Sequence, residues 1–112
     1  MSTRPAAERA RYLDDALRLE HRAEGLRDRR EPFLAGMTWM DAADAYRQGG
    51  NRAWARVLLE RAQTAFIDAR TGAVQANDTD AAVAAHKAGL VAYAKWGRLA
   101  GLEPASALDE AA

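Results

Sequence analysis

The chain has 112 residues, and its 16 basic and 16 acidic side chains balance to a formal net charge of zero, which disfavours a strongly basic nucleic-acid binder. Alanine supplies 28 of the apolar residues and only 27 are larger, so closely packed helices are expected and a β-sandwich or barrel is argued against. Cysteine is absent, which excludes disulfides, thiolate metal sites and cysteine nucleophiles.

The N-terminal stretch Met1–Tyr12 is charged from Arg4 onward and lacks an apolar signal core. No apolar run approaches the roughly 18 residues that span a bilayer. A cytoplasmic location without membrane association is the expectation. One helical domain is expected over 1–104, with a short tail over 105–112.

The first helix is expected to start after Ser2 or Thr3, with Pro5 in its first turn, and to run to about Arg30. Tyr12, Ala16, Leu19, Ala23 and Leu26 are spaced 4, 3, 4 and 3, a coiled-coil-like stripe. Ala6, Ala10, Leu13 and Leu17 flank it. Asp14 and Arg18 are placed as an outer i,i+4 pair. The remaining charges, among them Glu20 and Glu24, read as a solvated face.

Glu31–Met37 contains Pro32 and Gly36 and reads as a connection. Thr38, with Asp41 three residues on, is expected to cap a second helix over Trp39–Gln48. Gly49-Gly50 stops that helix and Asn51 caps the third. The third helix is expected to reach Arg70 or Thr71, with Gly72 as its stop. Its apolar face is Ala55, Leu58, Leu59, Ala62, Ala65, Phe66 and Ala69.

Asp78 or Thr79 is expected to cap a fourth helix reaching about Ala100. Val83, His86, Leu90, Tyr93 and Gly97 form one row on it. Ala85, Gly89 and Ala92 would admit a neighbouring backbone.

Trp39, Ala43, Ala45-Tyr46, Gly50-Asn51, Ala55, Leu59 and Ala62 stand at matching intervals over Trp39–Ala62. That segment resembles one tetratricopeptide repeat, an antiparallel helical hairpin that recurs with a 34-residue period in that family. Two positions depart from the family pattern. Ile67 stands where proline is usual, so the third helix should run past the usual end, and Ala42 stands where leucine is usual. Ala45-Tyr46 with Gly50 has an echo in Ala92-Tyr93 with Gly97, so the fourth helix resembles the start of a second repeat. The resemblance implies an all-α, four-helix tetratricopeptide-like bundle with a long N-terminal helix.

It also implies a groove. The groove-facing positions fall on Met40, Asp44, Arg47 and Gln48 of the second helix, and on Lys87, Val91, Ala94 and Lys95 of the fourth. Lys87 and Lys95 beside Arg47 would suit a peptide carboxylate or an acidic segment. The plainer alternative makes both lysines solvated outer residues. The functional expectation is a non-catalytic adaptor or regulator that binds a protein or peptide through Met40, Asp44, Arg47, Gln48, Lys87 and Lys95, with no cofactor and no metal.

Two other classes compete. A helix-turn-helix would present Arg52 and Arg56 to DNA, but it would leave Trp54 exposed on the reading face and put Ala55 where a bulky residue belongs. A self-associating structural protein would pair through Tyr12, Leu19 and Leu26 as a homodimer. Catalysis is disfavoured. His86 sits on the row of Leu90 and Tyr93, His21 lies among charges, and Glu20, His21 and Glu24 form a weak ligand set. Phe33, Leu34, Met37, Trp39 and Met40 form an apolar cluster that is either core or a recruiting patch.

Overall fold

The computed structural model describes residues 5–101 and is all-α, with four helices in chain order: α1 (Ala6–Asp28), α2 (Pro32–Gln48), α3 (Arg52–Gln75) and α4 (Thr79–Leu99). The expected cap at Ser2 or Thr3, the domain boundary at 104 and the tail over 105–112 lie outside the described residues.

One local device makes all three connections. Each helix ends in a residue with positive φ: Arg30 (61°), Gly50 (94°) and Asn77 (56°). The next N–H then bonds five residues back: Glu31 to the Leu26 carbonyl (2.9 Å), Asn51 to Tyr46 (2.8 Å) and Asp78 to Ala73 (2.8 Å). This satisfies carbonyls that a helix end leaves orphaned. The residue that closes one helix opens the next. Asn51 Oδ1 accepts from the Trp54 N–H (3.1 Å) and Asp78 Oδ1 from the Ala81 N–H (3.1 Å), as the sequence leads one to expect of both caps.

Turns this short force antiparallel neighbours. α1 packs on α2, α2 on α3 and α3 on α4, while α4 meets α2 only at its margin. The result is a slab of 49 × 39 × 17 Å with a radius of gyration of 15.1 Å, against about 13 Å for a compact domain of this length. The helices form an open row.

Alanine makes the row thin. Ala16 and Ala23 on α1, Ala35, Ala42 and Ala43 on α2, Ala55 and Ala62 on α3, and Ala85 and Ala92 on α4 are all essentially inaccessible. Trp39, Met40, Tyr46, Leu58, Leu59 and Phe66 fill the space between them. Two glycines serve close packing. A Cβ on Gly36 would lie 2.7 Å from the Phe66 ring, and one on Gly49 would lie 2.6 Å from Leu13.

Several boundaries and faces differ from expectation. α2 begins at Pro32, which occupies the first helical turn, where its missing N–H costs nothing. Thr38 is therefore inside the helix, its hydroxyl donating to the Leu34 carbonyl at 2.8 Å. α3 runs past Ile67, as expected, and also through Gly72 to Gln75, because Asn77 supplies the left-handed turn instead. Arg18 pairs with Asp15, not Asp14. On α1, Ala16, Ala23 and Leu26 are buried, and Leu19 packs against the core. The row proposed for a homodimer is thus largely spent inside the chain. Leu13 packs inward from the flanking row, while Ala6, Ala10 and Leu17 face solvent.

The fourth helix packs through its small-residue stripe, as expected. It buries Ala85 and Ala92, with Ala88, Trp96 and Leu99 packed against the core. Val83, His86, Leu90 and Tyr93 are exposed. As the last helix of the row, α4 is covered mainly by α3, and its small residues allow the closest approach to that neighbour. The apolar cluster around the first connection divides. Trp39 and Met40 are core, Phe33 meets Phe66 edge-on at 5.7 Å, and Leu34 and Met37 are exposed.

Candidate functional site

α2 ends, α3 begins and α4 ends at one edge of the slab. There a cleft of about 360 Å³ is lined by Ala43, Asp44, Arg47, Arg52, Leu59, Lys95, Arg98 and Leu99. Asp44 and Arg47 are three residues apart on α2, and so are Lys95 and Arg98 on α4, so each pair projects from one helix face. Arg52 enters from the first turn of α3, directly after the Gly49-Gly50 turn. Ala43, Leu59 and Leu99 supply the apolar part of the lining.

The charge balance is one-sided. Lys95 Nζ lies 3.3 Å from Asp44 Oδ2, a half-exposed pair worth about 0–1 kcal/mol. The guanidiniums of Arg47, Arg52 and Arg98 make no hydrogen bond or ion pair within the described structure. Arg47 and Arg98 are favoured where they stand, in the last turns of α2 and α4, by the partial negative charge of helix C-termini. Arg52 is not. It sits in the first turn of α3, against the positive end of its own helix, in a turn with no acidic residue. Beside the cleft, Asp41 is raised from the ordinary carboxylate value, first by burial and then by Asp44, with Lys95 opposing.

Of the six expected groove residues, Asp44, Arg47 and Lys95 are thus brought together. The other three site residues are not. Met40 is buried in the core, Lys87 is exposed away from the cleft, and Gln48 is half-buried outside its lining. Arg52 and Arg98 were not among the groove positions. Arg52 was read only as a DNA contact, and the signal for Arg98 is its i+3 spacing from Lys95. Of the helix-turn-helix residues, Arg56 is half-buried with its Nε shielded and unpartnered. Trp54 donates its indole N–H to Glu20 Oε1 at 3.0 Å.

Glu20, expected on a solvated face, belongs to a half-buried polar junction. Its Oε1 also accepts from the Tyr46 hydroxyl at 2.6 Å, and Arg61 Nη1 lies 3.7 Å from Oε2. The junction ties α1, α2 and α3 together. It also leaves His21 with only Glu24, at 3.5 Å.

A larger hollow of about 640 Å³ lies between α1, α2 and α3, with Ala35, Trp39, Val57 and Ala65 as its floor. Its lining sets three arginines, Arg27, Arg30 and Arg61, against two acids, Glu60 and Asp68. Arg61 faces Glu20 and stacks over Trp54, and Arg27 pairs with Asp28 and lies over Trp39. The smaller cleft, with its uncompensated guanidiniums, is the stronger candidate for recognising a charged partner. No described helix is long and apolar enough to cross a membrane. Comparisons of the chain with known family models, with curated proteins and with solved structures give no match.

Proposed function

We propose that the protein is a non-catalytic interaction module that receives an acidic peptide segment, or a free peptide carboxylate, in the cleft between α2 and α4. One observation carries this reading: Arg47, Arg52, Arg98 and Lys95 surround a single cleft in which, among the described residues, Asp44 is the sole acidic lining residue. Unpaired guanidiniums offer planar, two-pronged donors matched to carboxylates. The apolar lining of Ala43, Leu59 and Leu99 would hold the stem of such a segment. Placing Arg52 against its helix dipole gains nothing for stability, which is what a recognition role would tolerate.

The test is fluorescence anisotropy with a labelled Asp/Glu-rich decapeptide that has a free C-terminus. Binding should weaken as salt rises, because the contacts are exposed charges screened within about 10 Å at 0.1 M. Arg47→Glu with Lys95→Glu should lower affinity at least about tenfold, since each reversal replaces attraction by repulsion. Lys87→Glu, outside the cleft, should leave it nearly unchanged. Equal affinity in the double variant and the parent would refute the reading. A duplex-DNA shift abolished by Arg52→Ala with Arg56→Ala would replace it with a DNA-binding one.

A further inference from the structure

We infer that the outward flank of α4 is the contact surface for a second copy of this chain, with the two α4 helices antiparallel about a two-fold axis. Its apolar row faces away from the acidic-peptide cleft, shares only Arg98 at that cleft's edge, and does not depend on that reading.

The flank carries Val83, His86, Leu90 and Tyr93, spaced 3, 4 and 3, which is the interval of a coiled-coil seam. On a soluble helix such a row normally faces core. Here Val83 is 46%, Leu90 56% and Tyr93 51% exposed, and Ile67 of α3 beside them is 53% exposed. The row borders a shallow cleft of about 220 Å³ between α3 and α4, lined by Phe66, Ile67, Gly89, Leu90 and Tyr93 among others. A side chain from a facing helix can seat there, as a knob seats in a hole. His86 suits an apolar contact, because its Nδ1 accepts from Arg70 Nη1 at 3.1 Å. Arginine can only donate, so Nδ1 is the accepting nitrogen of this pair.

The occupant is identified by self-complementarity. In an antiparallel pair, the register that sets Val83 opposite Tyr93 of the second copy also sets His86 opposite Leu90 of the second copy. One register therefore fills four successive layers from a single row. Charge agrees with it. Asp80 and Arg98 are eighteen residues apart, five full helical turns, so they stand in line on one shoulder of α4. Antiparallel pairing brings each Asp80 beside Arg98 of the second copy. Lys87 lies midway on that shoulder and meets its own counterpart near the axis, the one unfavourable contact. A helix of 21 residues is about 31 Å long. A single pair of that length buries less than the roughly 1,200 Å² of a stable interface, so the dimer is reversible and concentration-dependent.

Sedimentation equilibrium of the full chain, from low micromolar to near-millimolar concentration, is the test. The apparent mass should rise from monomer toward dimer. Leu90→Glu, at an exposed position that leaves helix content unchanged by circular dichroism, should keep the chain monomeric throughout. Asp80→Arg should weaken dimerisation about tenfold by turning two attractive contacts repulsive, and adding Arg98→Asp should restore it. Lys87→Ala should tighten the dimer about twofold. A monomer at every concentration overturns the inference, and so does a dimer indifferent to Leu90→Glu. A double charge swap that fails to restore association overturns the antiparallel register.

Discussion

Tyr46→Phe isolates the polar junction that links the first three helices. The substitution keeps the ring and its packing and removes the hydroxyl that donates to Glu20 Oε1 at 2.6 Å. Glu20 is only 14% exposed, so water cannot fully replace the lost donor. A hydrogen bond to a charged group contributes about 1.5–3 kcal/mol. Because Trp54 and Arg61 remain on the carboxylate, a loss of about 2 kcal/mol is expected. At about 4–8 °C per kcal/mol for a domain of this size, the melting temperature should fall by roughly 8–16 °C. Alkaline titration provides a second readout. Burial, the bond to Glu20 and its negative charge together push the Tyr46 hydroxyl from its ordinary value of 10.0 up to about 12. The group is therefore held neutral in the folded state. Its contribution is intact below pH 10 and is lost as pH rises from 10 to about 12. The difference in tyrosinate absorbance between parent and Tyr46→Phe should titrate near pH 12. A difference curve centred near pH 10, or a stability loss under about 0.5 kcal/mol, the level of an ordinary surface substitution, would refute the reasoning.

Three further substitutions test the packing and the turns. Gly36→Ala sets a methyl 2.7 Å from the buried Phe66 ring and should cost about 1–3 kcal/mol in urea unfolding, as overpacking does. Arg30→Gly relieves a side chain held at φ 61° and should stabilise by up to about 1 kcal/mol in the same assay, less the entropy that glycine adds to the unfolded chain. Asn51→Ala removes the acceptor of the Trp54 N–H and should cost about 1 kcal/mol in thermal melts.

Much of this architecture was legible because it is local. Gly50, Asn51 and Asp78 act at their own positions, and the α1 and α3 stripes follow from helical period alone. Two features were hidden, each because a distant partner decides it. Pro32 and Gly36 look like loop residues until one sees that a proline opens α2 and that Phe66, thirty residues on, needs the space of a missing Cβ. Glu20 looks solvated until Tyr46 and Trp54 close over it. On α4 the stripe of Ala85, Gly89 and Ala92 marks the packing face, and burying Ala85 and Ala92 leaves Val83, Leu90 and Tyr93 outside. At the end of a row, alanine packs closer than leucine, and the larger residues are left outside. The cleft was half visible: Asp44, Arg47 and Lys95 are three of the six expected groove residues, but Arg52 joins them only through the turn that folds α3 back.

The neighbour-to-neighbour arrangement bears on how the chain acquires and loses its structure. Contacts between consecutive helices are short-range in sequence, so little loop entropy is lost before they form, and rapid folding follows. Such a row also resembles a short one-dimensional lattice, whose end units open more easily than its interior. Amide hydrogens of α4 should exchange with solvent well before those in the middle of α3, which is flanked on both sides. The face offered to a second copy therefore lies on an end unit of the row, and association there would slow exchange at that end.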